Sequence, residues 1–134
     1  MIIVDTTVWI DFFQGAKTPE DHYLQTLIRE DRSIALTDLI FCEILQGIRD
    51  DAQISRIRSL LLYYPIIRME NLATFEQAAM IYRVCRRRGF TIRKTIDCLI
   101  AAVCLANDVE LFHKDADFTA IARVFPLRIH SISG

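Results

Sequence analysis

The sequence predicts an α/β protein, a three-layer α/β/α sandwich around a mostly parallel central sheet of four to five strands. Three observations carry this. Short apolar, β-branched runs recur along the chain without polar alternation, which is how strands covered on both faces read. Segments of helical periodicity separate them, so the strands are joined by crossovers, and right-handed crossovers build a parallel sheet. The 134 residues leave room for one domain, residues 1–134, and only four Gly and three Pro argue against a loop-rich architecture.

The elements follow in order. Ile2-Ile3-Val4 is a β-branched run stopped by Asp5 and reads as a buried first strand. Thr6 to Phe13 reads as a short helix with Gly15 near its end. A second helix spans about Pro19 to Glu30, opened by Thr18 as N-cap with Pro19 at the first helical position and Asp21 in the first turn. Ser33–Thr37 is the second strand. Asp38 is placed to cap a helix running to about Gly47, and Ile54–Leu62 continues helically. Pro65–Met69 is the third strand. Residues 72–88 form a longer helix with Phe75, Ala79, Ile81, Tyr82 and Cys85 near one stripe, closed by Gly89. Ile96, Leu99, Ile100 and Val103 have the i, i+3, i+4, i+7 spacing of an amphipathic helix within Arg93–Asn107. Val109–His113 is the fourth strand, Phe118–Val124 a short helix, and Leu127–His130 a fifth strand.

Bulk properties exclude several classes. An apolar share of 52% with 25% charged residues excludes a disordered chain. The opening residues lack the pattern of a secretory leader. The longest strictly apolar run, Cys98–Ala106, has nine residues, against the ~20 that span a bilayer, so a cytoplasmic protein without membrane association is expected. Cys42, Cys85, Cys98 and Cys104 show no Cys-x-x-Cys spacing and read as core-filling thiols; the three histidines lack ligand spacing. Sixteen Lys and Arg against seventeen Asp and Glu exclude a strongly basic arm.

Several of those acids do not read as surface. In a parallel α/β fold, ligands gather at the carboxyl ends of the strands. Asp5 ends the first strand, and Asp115 and Asp117 lie just past the fourth. Asp117 also precedes a helix and fits an N-cap. Glu43 is the lone charge in Leu39–Leu45, where an unpartnered buried carboxylate is costly; it needs water, a cation, a hydrogen-bond network, or a salt bridge to a distant Arg. Asp97 stands alone in Thr95–Ala102 near a helix start, where the macrodipole favours an anion; a simple first-turn acid is the other reading. Carboxylates drawn into one pocket repel one another unless some protonate or a cation binds. Oxygen-only ligands select Mg²⁺ or Mn²⁺ over zinc, and such a cluster suits metal-assisted phosphodiester hydrolysis.

The segments Ile3–Asp11, Cys42–Gly47, Asp97–Ala102 and Asp115–Phe118 resemble, in order, the successive motifs of PIN-domain ribonucleases, with the strongest likeness to the VapC toxins of type II toxin–antitoxin pairs. The resemblance implies that Asp5, Glu43, Asp97 and Asp115 form a catalytic acidic pocket, with Asp117 joining it or the outer shell of the metal. Asp5, Asp97, Asp115 and Asp117 are then the metal ligands, and Thr6 the hydroxyl that orients Asp5 or a metal-bound water. It further implies Mg²⁺ or Mn²⁺ dependence, a homodimer, cleavage of structured RNA such as tRNA, and a VapB-like antitoxin that blocks the pocket. His113 departs from the family, standing where many members carry Thr or Ser, and is expected to pack rather than catalyse.

Arg83, Arg86, Arg87, Arg88, Arg93 and Lys94 place six bases within twelve positions, with no acid among them, just before Asp97. Clustered cations beside a metal site attract a phosphate backbone, which makes Arg86, Arg87, Arg93 and Lys94 candidate RNA contacts. A solvated helix end is the plainer reading. Two rival functions remain. One is a non-catalytic module that keeps the fold to hold RNA or protein. The other is an aspartyl-phosphate phosphatase with Asp5 as nucleophile, disfavoured because Thr7 stands where a second acid is usual.

Overall fold

Residues 1–69 and 71–132 are described by the structure, a computed structural model. The β-branched runs form strands β1 (Ile2–Val4), β2 (Ile34–Thr37), β3 (Ile66–Ile67) and β4 (Glu110–Phe112). They make one sheet in the order β3-β2-β1-β4, with every neighbouring pair parallel. Ile3 sits opposite both Ala35 and Leu111, so β1 is central. Every residue of β1 and β2 is buried, which explains why their sequences show no alternation.

Among the described residues seven α-helices connect and follow the strands: α1 (Thr6–Gln14), α2 (Pro19–Arg29), α3 (Asp38–Gly47), α4 (Ile54–Leu61), α5 (Leu72–Arg87), α6 (Thr95–Asn107) and α7 (Ala116–Ala122). The path β1 to β2 to β3 runs one way across the sheet, and the step to β4 returns to the far side of β1. Right-handed crossovers then place α1–α4 on one face and α5–α6 on the other. The direction reverses between β1 and β4, so their carboxyl ends flank the switch point, where such sheets open a crevice. The Asp5 N–H donates to the Phe112 carbonyl across that point, at 2.9 Å.

Local chemistry sets the boundaries. Thr18 caps α2 through its hydroxyl, and Gly15 closes α1 at φ +60°. At the end of α5, Phe90 N–H bonds the Cys85 carbonyl and Gly89 N–H the Arg86 carbonyl, with Gly89 at φ +90°: a Schellman motif. α3 is capped by Thr37, whose Oγ1 accepts from Ile40 N–H, and not by Asp38. The Asp38 carboxylate instead accepts from Leu39 N–H and from Met69 N–H. That second bond diverts Met69 from strand pairing, so β3 is two residues long where five were expected. The expected fifth strand contracts to one bridge, Ile129 beside Leu111. Pro126 has no N–H and Leu127 N–H turns back to the Phe125 carbonyl, so pairing begins only at Arg128.

The buried stripe of α5 is Ala78, Ile81 and Cys85, which packs on α6; Phe75 and Ala79 are exposed, one position away from the expected face. Three cysteines are buried thiols, but Cys42 is exposed on the outer side of α3. Among the described residues no helix is long and apolar enough to cross a membrane.

Candidate active site

Asp5 follows β1 directly and caps α1, so its carboxylate is fixed at the crevice by the strand end itself. It is 3% exposed. Its Oδ2 accepts the Thr7 hydroxyl at 2.7 Å and the Thr7 N–H at 3.2 Å. Burial pushes its pKa up to about 6, with the neighbouring Glu43 adding to the rise and the Thr7 bonds opposing it. The Thr7 Oγ1 in turn accepts from Lys114 N–H, past the end of β4. Thr7 therefore locks the β1 and β4 exits together.

Thr6 does something else. Its hydroxyl donates to Glu43 Oε1 at 2.8 Å, so it orients Glu43 and makes no side-chain bond to Asp5. Glu43 reaches the crevice from α3, and among the described residues no Lys or Arg forms an ion pair with it. The distant-Arg reading of its lone charge is thereby replaced by a hydroxyl bond and a place in the pocket wall.

Asp97 stands in the first turn of α6 and is 2% exposed. Its Oδ2 is buried without a hydrogen-bond partner among the described residues, and the nearest cation is the Lys94 ammonium at 3.6 Å. Burial raises its pKa well above the carboxylate range; Lys94 opposes the rise and Asp115 reinforces it. Asp115, not Asp117, caps α7, accepting Asp117 N–H on Oδ1 at 2.9 Å. Burial works against the Asp115 charge, but the Asp117 N–H, Lys94 and Arg93 outweigh it and hold its pKa below the usual value. Asp117 is buried inside the first turn of α7, where its Oδ2 accepts Arg93 N–H at 3.1 Å.

One carboxylate oxygen from each of Asp97, Asp115 and Asp117 lies within 4.8 Å of the others. Beside them a cavity of about 320 Å³ is lined by Asp5, Thr6, Thr7, Glu43, Lys94, Asp97 and Lys114, with Ile10 and Asp11. Asp5, Glu43 and Asp97 thus line one crevice, and Asp115 and Asp117 join it through Asp97. Hard oxygen donors and an unpartnered buried oxygen on Asp97 fit a divalent cation.

The candidate cations divide. Lys94 Nζ lies 3.1 Å from Asp115 Oδ2, so it sits within the acidic cluster. Arg93 is 3.7 Å from Asp117 and 3.9 Å from Asp115. Arg86 and Arg87 are exposed on the last turn of α5, and Arg86 lies over the Tyr82 ring at 5.6 Å; neither forms an ion pair with the acids. His113 packs edge-on against Phe118 as expected, and its Nδ1 also accepts Asp115 N–H at 2.9 Å, which places the ring proton of the neutral form on Nε2. Sequence reasoning missed Thr7 and the Lys114–Asp11 pair. The Lys94 contact was signalled by its i, i+3 spacing to Asp97.

The chain that folds into this sheet and acid-lined crevice is matched over residues 2–124 by a family model for the PIN domain, and it belongs to the PIN-domain family, among the VapC ribonucleases. It is 35% identical over 132 residues, 98% of either chain, to VapC ribonuclease Mb1587 of Mycobacterium bovis. The same figures hold for ribonuclease VapC11 of Mycobacterium tuberculosis. The fold is shared with the solved structure of VapBC2 from Rickettsia felis bound to a DNA fragment, at TM-score 0.75 and 18% identity, over 97% of this chain and 98% of that one.

Proposed function

We propose that this ribonuclease is a Mg²⁺- or Mn²⁺-dependent endoribonuclease toxin that cleaves structured RNA such as tRNA. The observation that carries the reading is the convergence of acids from four separate segments at the β1–β4 switch point. Asp97, Asp115 and Asp117 would hold the cation, joined by Asp5. A hard divalent cation in such a site supplies charge stabilisation on the phosphodiester and a more acidic water. Asp5 faces the cavity beside that site, with its carboxylate fixed by the Thr7 hydroxyl and N–H. Glu43, held by the Thr6 hydroxyl, orients that water from the opposite helix layer. Arg93 and Lys94 favour approach of the phosphate backbone, and Arg86 and Arg87 extend the basic track along α5.

The VapC names of the relatives and the VapBC2 assembly support an antitoxin as partner; the rest of the reading is part of this proposal. The partner is a VapB-like antitoxin that covers the pocket, the toxin is a homodimer, and the setting is the cytoplasm. The test is cleavage of a bulk tRNA preparation. Mg²⁺ or Mn²⁺ should support it, EDTA should stop it, and Asp97→Asn should abolish it while leaving the circular dichroism spectrum unchanged. Undiminished cleavage in EDTA or by Asp97→Asn overturns the proposal; tRNA binding without cleavage by the wild-type protein favours the non-catalytic module.

A further inference from the structure

Lys114 is a cation held at both ends. Its backbone N–H donates to Thr7 Oγ1 at 3.1 Å, and Thr7 Oγ1 donates to Asp5 Oδ2, so the lysine backbone stands one hydroxyl away from a pocket carboxylate. Its ammonium bonds the Asp11 carboxylate on α1, more than a hundred positions away in sequence. Both side chains line the acidic cavity, and the lysine side chain keeps 31% of its exposure. Lys94 occupies the Asp97–Asp115 side of the cavity, and among the described residues lining it Lys114 is the cation on the Asp11 side.

The Asp11 carboxylate has a second partner. Asp11 Oδ2 also accepts the Thr18 hydroxyl at 2.7 Å, so the carboxylate keeps a partner when the ammonium turns away. An ammonium has three donors, and one carboxylate oxygen engages only part of that capacity. A partly exposed ion pair of this kind adds little to stability, so stability alone gives a poor account of a pair tied this closely to the cavity. A preset cation at the rim of an acidic pocket is suited to a phosphate, which the acids would otherwise repel.

We infer that Lys114 contacts a backbone phosphate flanking the scissile bond of the RNA substrate, with Asp11 and Thr18 presetting its ammonium. This rests on the ribonuclease reading above. The test compares Lys114→Met, Lys114→Arg and Asp11→Asn in the native background and in an Asp5→Asn background that spares the RNA. Binding of a fluorescein-labelled single-stranded RNA oligonucleotide is followed by anisotropy across a NaCl series in the Asp5→Asn background.

Loss of one phosphate contact should lower the slope of log K against log salt by ~0.7 in Lys114→Met. Lys114→Arg keeps a cation at the position and Asp11→Asn leaves the Lys114 ammonium in place, so both should keep the slope. In the native background Lys114→Met should raise KM several-fold and change kcat less, with an unchanged thermal midpoint. An unchanged salt slope in Lys114→Met, or equal slope losses in Lys114→Met and Asp11→Asn, makes the pair a structural tether and overturns the inference. If the unsubstituted protein neither binds nor cleaves RNA, the ribonuclease reading fails and this inference falls with it.

Discussion

Replacing Asp5 by Asn should stabilise the metal-free protein at neutral and alkaline pH. Asp5 is buried, and its pKa stands at about 6 instead of 3.8. A raised carboxylate pKa means that the folded state holds the proton more tightly than the unfolded chain, so ionisation opposes folding. The cost is nearly absent below pH 3.8, grows between 3.8 and 6, and is fully present above 6. The difference between the two values corresponds to about 3 kcal/mol at 1.36 kcal/mol per tenfold change in acidity. Asn is nearly isosteric and can still accept the Thr7 hydroxyl and N–H, so it removes the charge while keeping the cap. Urea unfolding in EDTA at pH 8 should show Asp5→Asn more stable than wild type by up to about 3 kcal/mol, with the gap shrinking toward pH 4. Mg²⁺ should narrow or reverse the gap, since a ligand that binds only the folded state stabilises it, and wild type binds more tightly. A variant less stable than wild type at pH 8, or a gap independent of pH, would refute the reasoning.

Two further substitutions probe the partners of the acids. Lys94→Met removes an ammonium 3.1 Å from Asp115 and 3.6 Å from Asp97; calorimetric titration should find Mn²⁺ bound several-fold more tightly, because the cation no longer competes with a resident charge. Thr6→Val deletes the hydroxyl that holds Glu43 and should lower kcat for RNA cleavage by about tenfold, in the range of a lost positioning contact, while thermal stability changes little.

What could be read in the sequence was whatever depends on neighbours along the chain. Strand runs, the Thr18 cap, the Gly15 and Gly89 ends and the isolation of Glu43 and Asp97 in apolar helices are all local facts, and the structure repeats them. The convergence of the acids was legible only through fold class, because the switch point rests on the return of β4 to the far side of β1. Partner choice was not legible. Thr6 and Thr7 are adjacent in α1, and successive helical residues point about 100° apart. That rotation sends one hydroxyl to Glu43 and the other to Asp5, and nothing in the sequence fixes the helix orientation. The lost fifth strand and the short third strand have a similar origin: a turn bond at Leu127 and a carboxylate thirty-one residues away at Asp38 compete for backbone groups.

The near-zero net charge conceals an arrangement with a direction. Asp115 has a helix cap, Lys94 and Arg93 to sustain its charge, and its pKa lies low. Asp5 and Asp97 have less support, and burial lifts both. One side of the crevice is therefore ionised over the whole neutral range, while on the other Asp97 retains its proton in the absence of a cation. Lys94 can neutralise one charge, yet Asp97 Oδ2 still lacks a hydrogen bond. A cation with more charge and more coordination sites than an ammonium would relieve what Lys94 leaves, displacing the proton from Asp97 as it enters. The pocket gives up folding stability in the metal-free state, and that same deficit is what would make the crevice selective for a divalent ion.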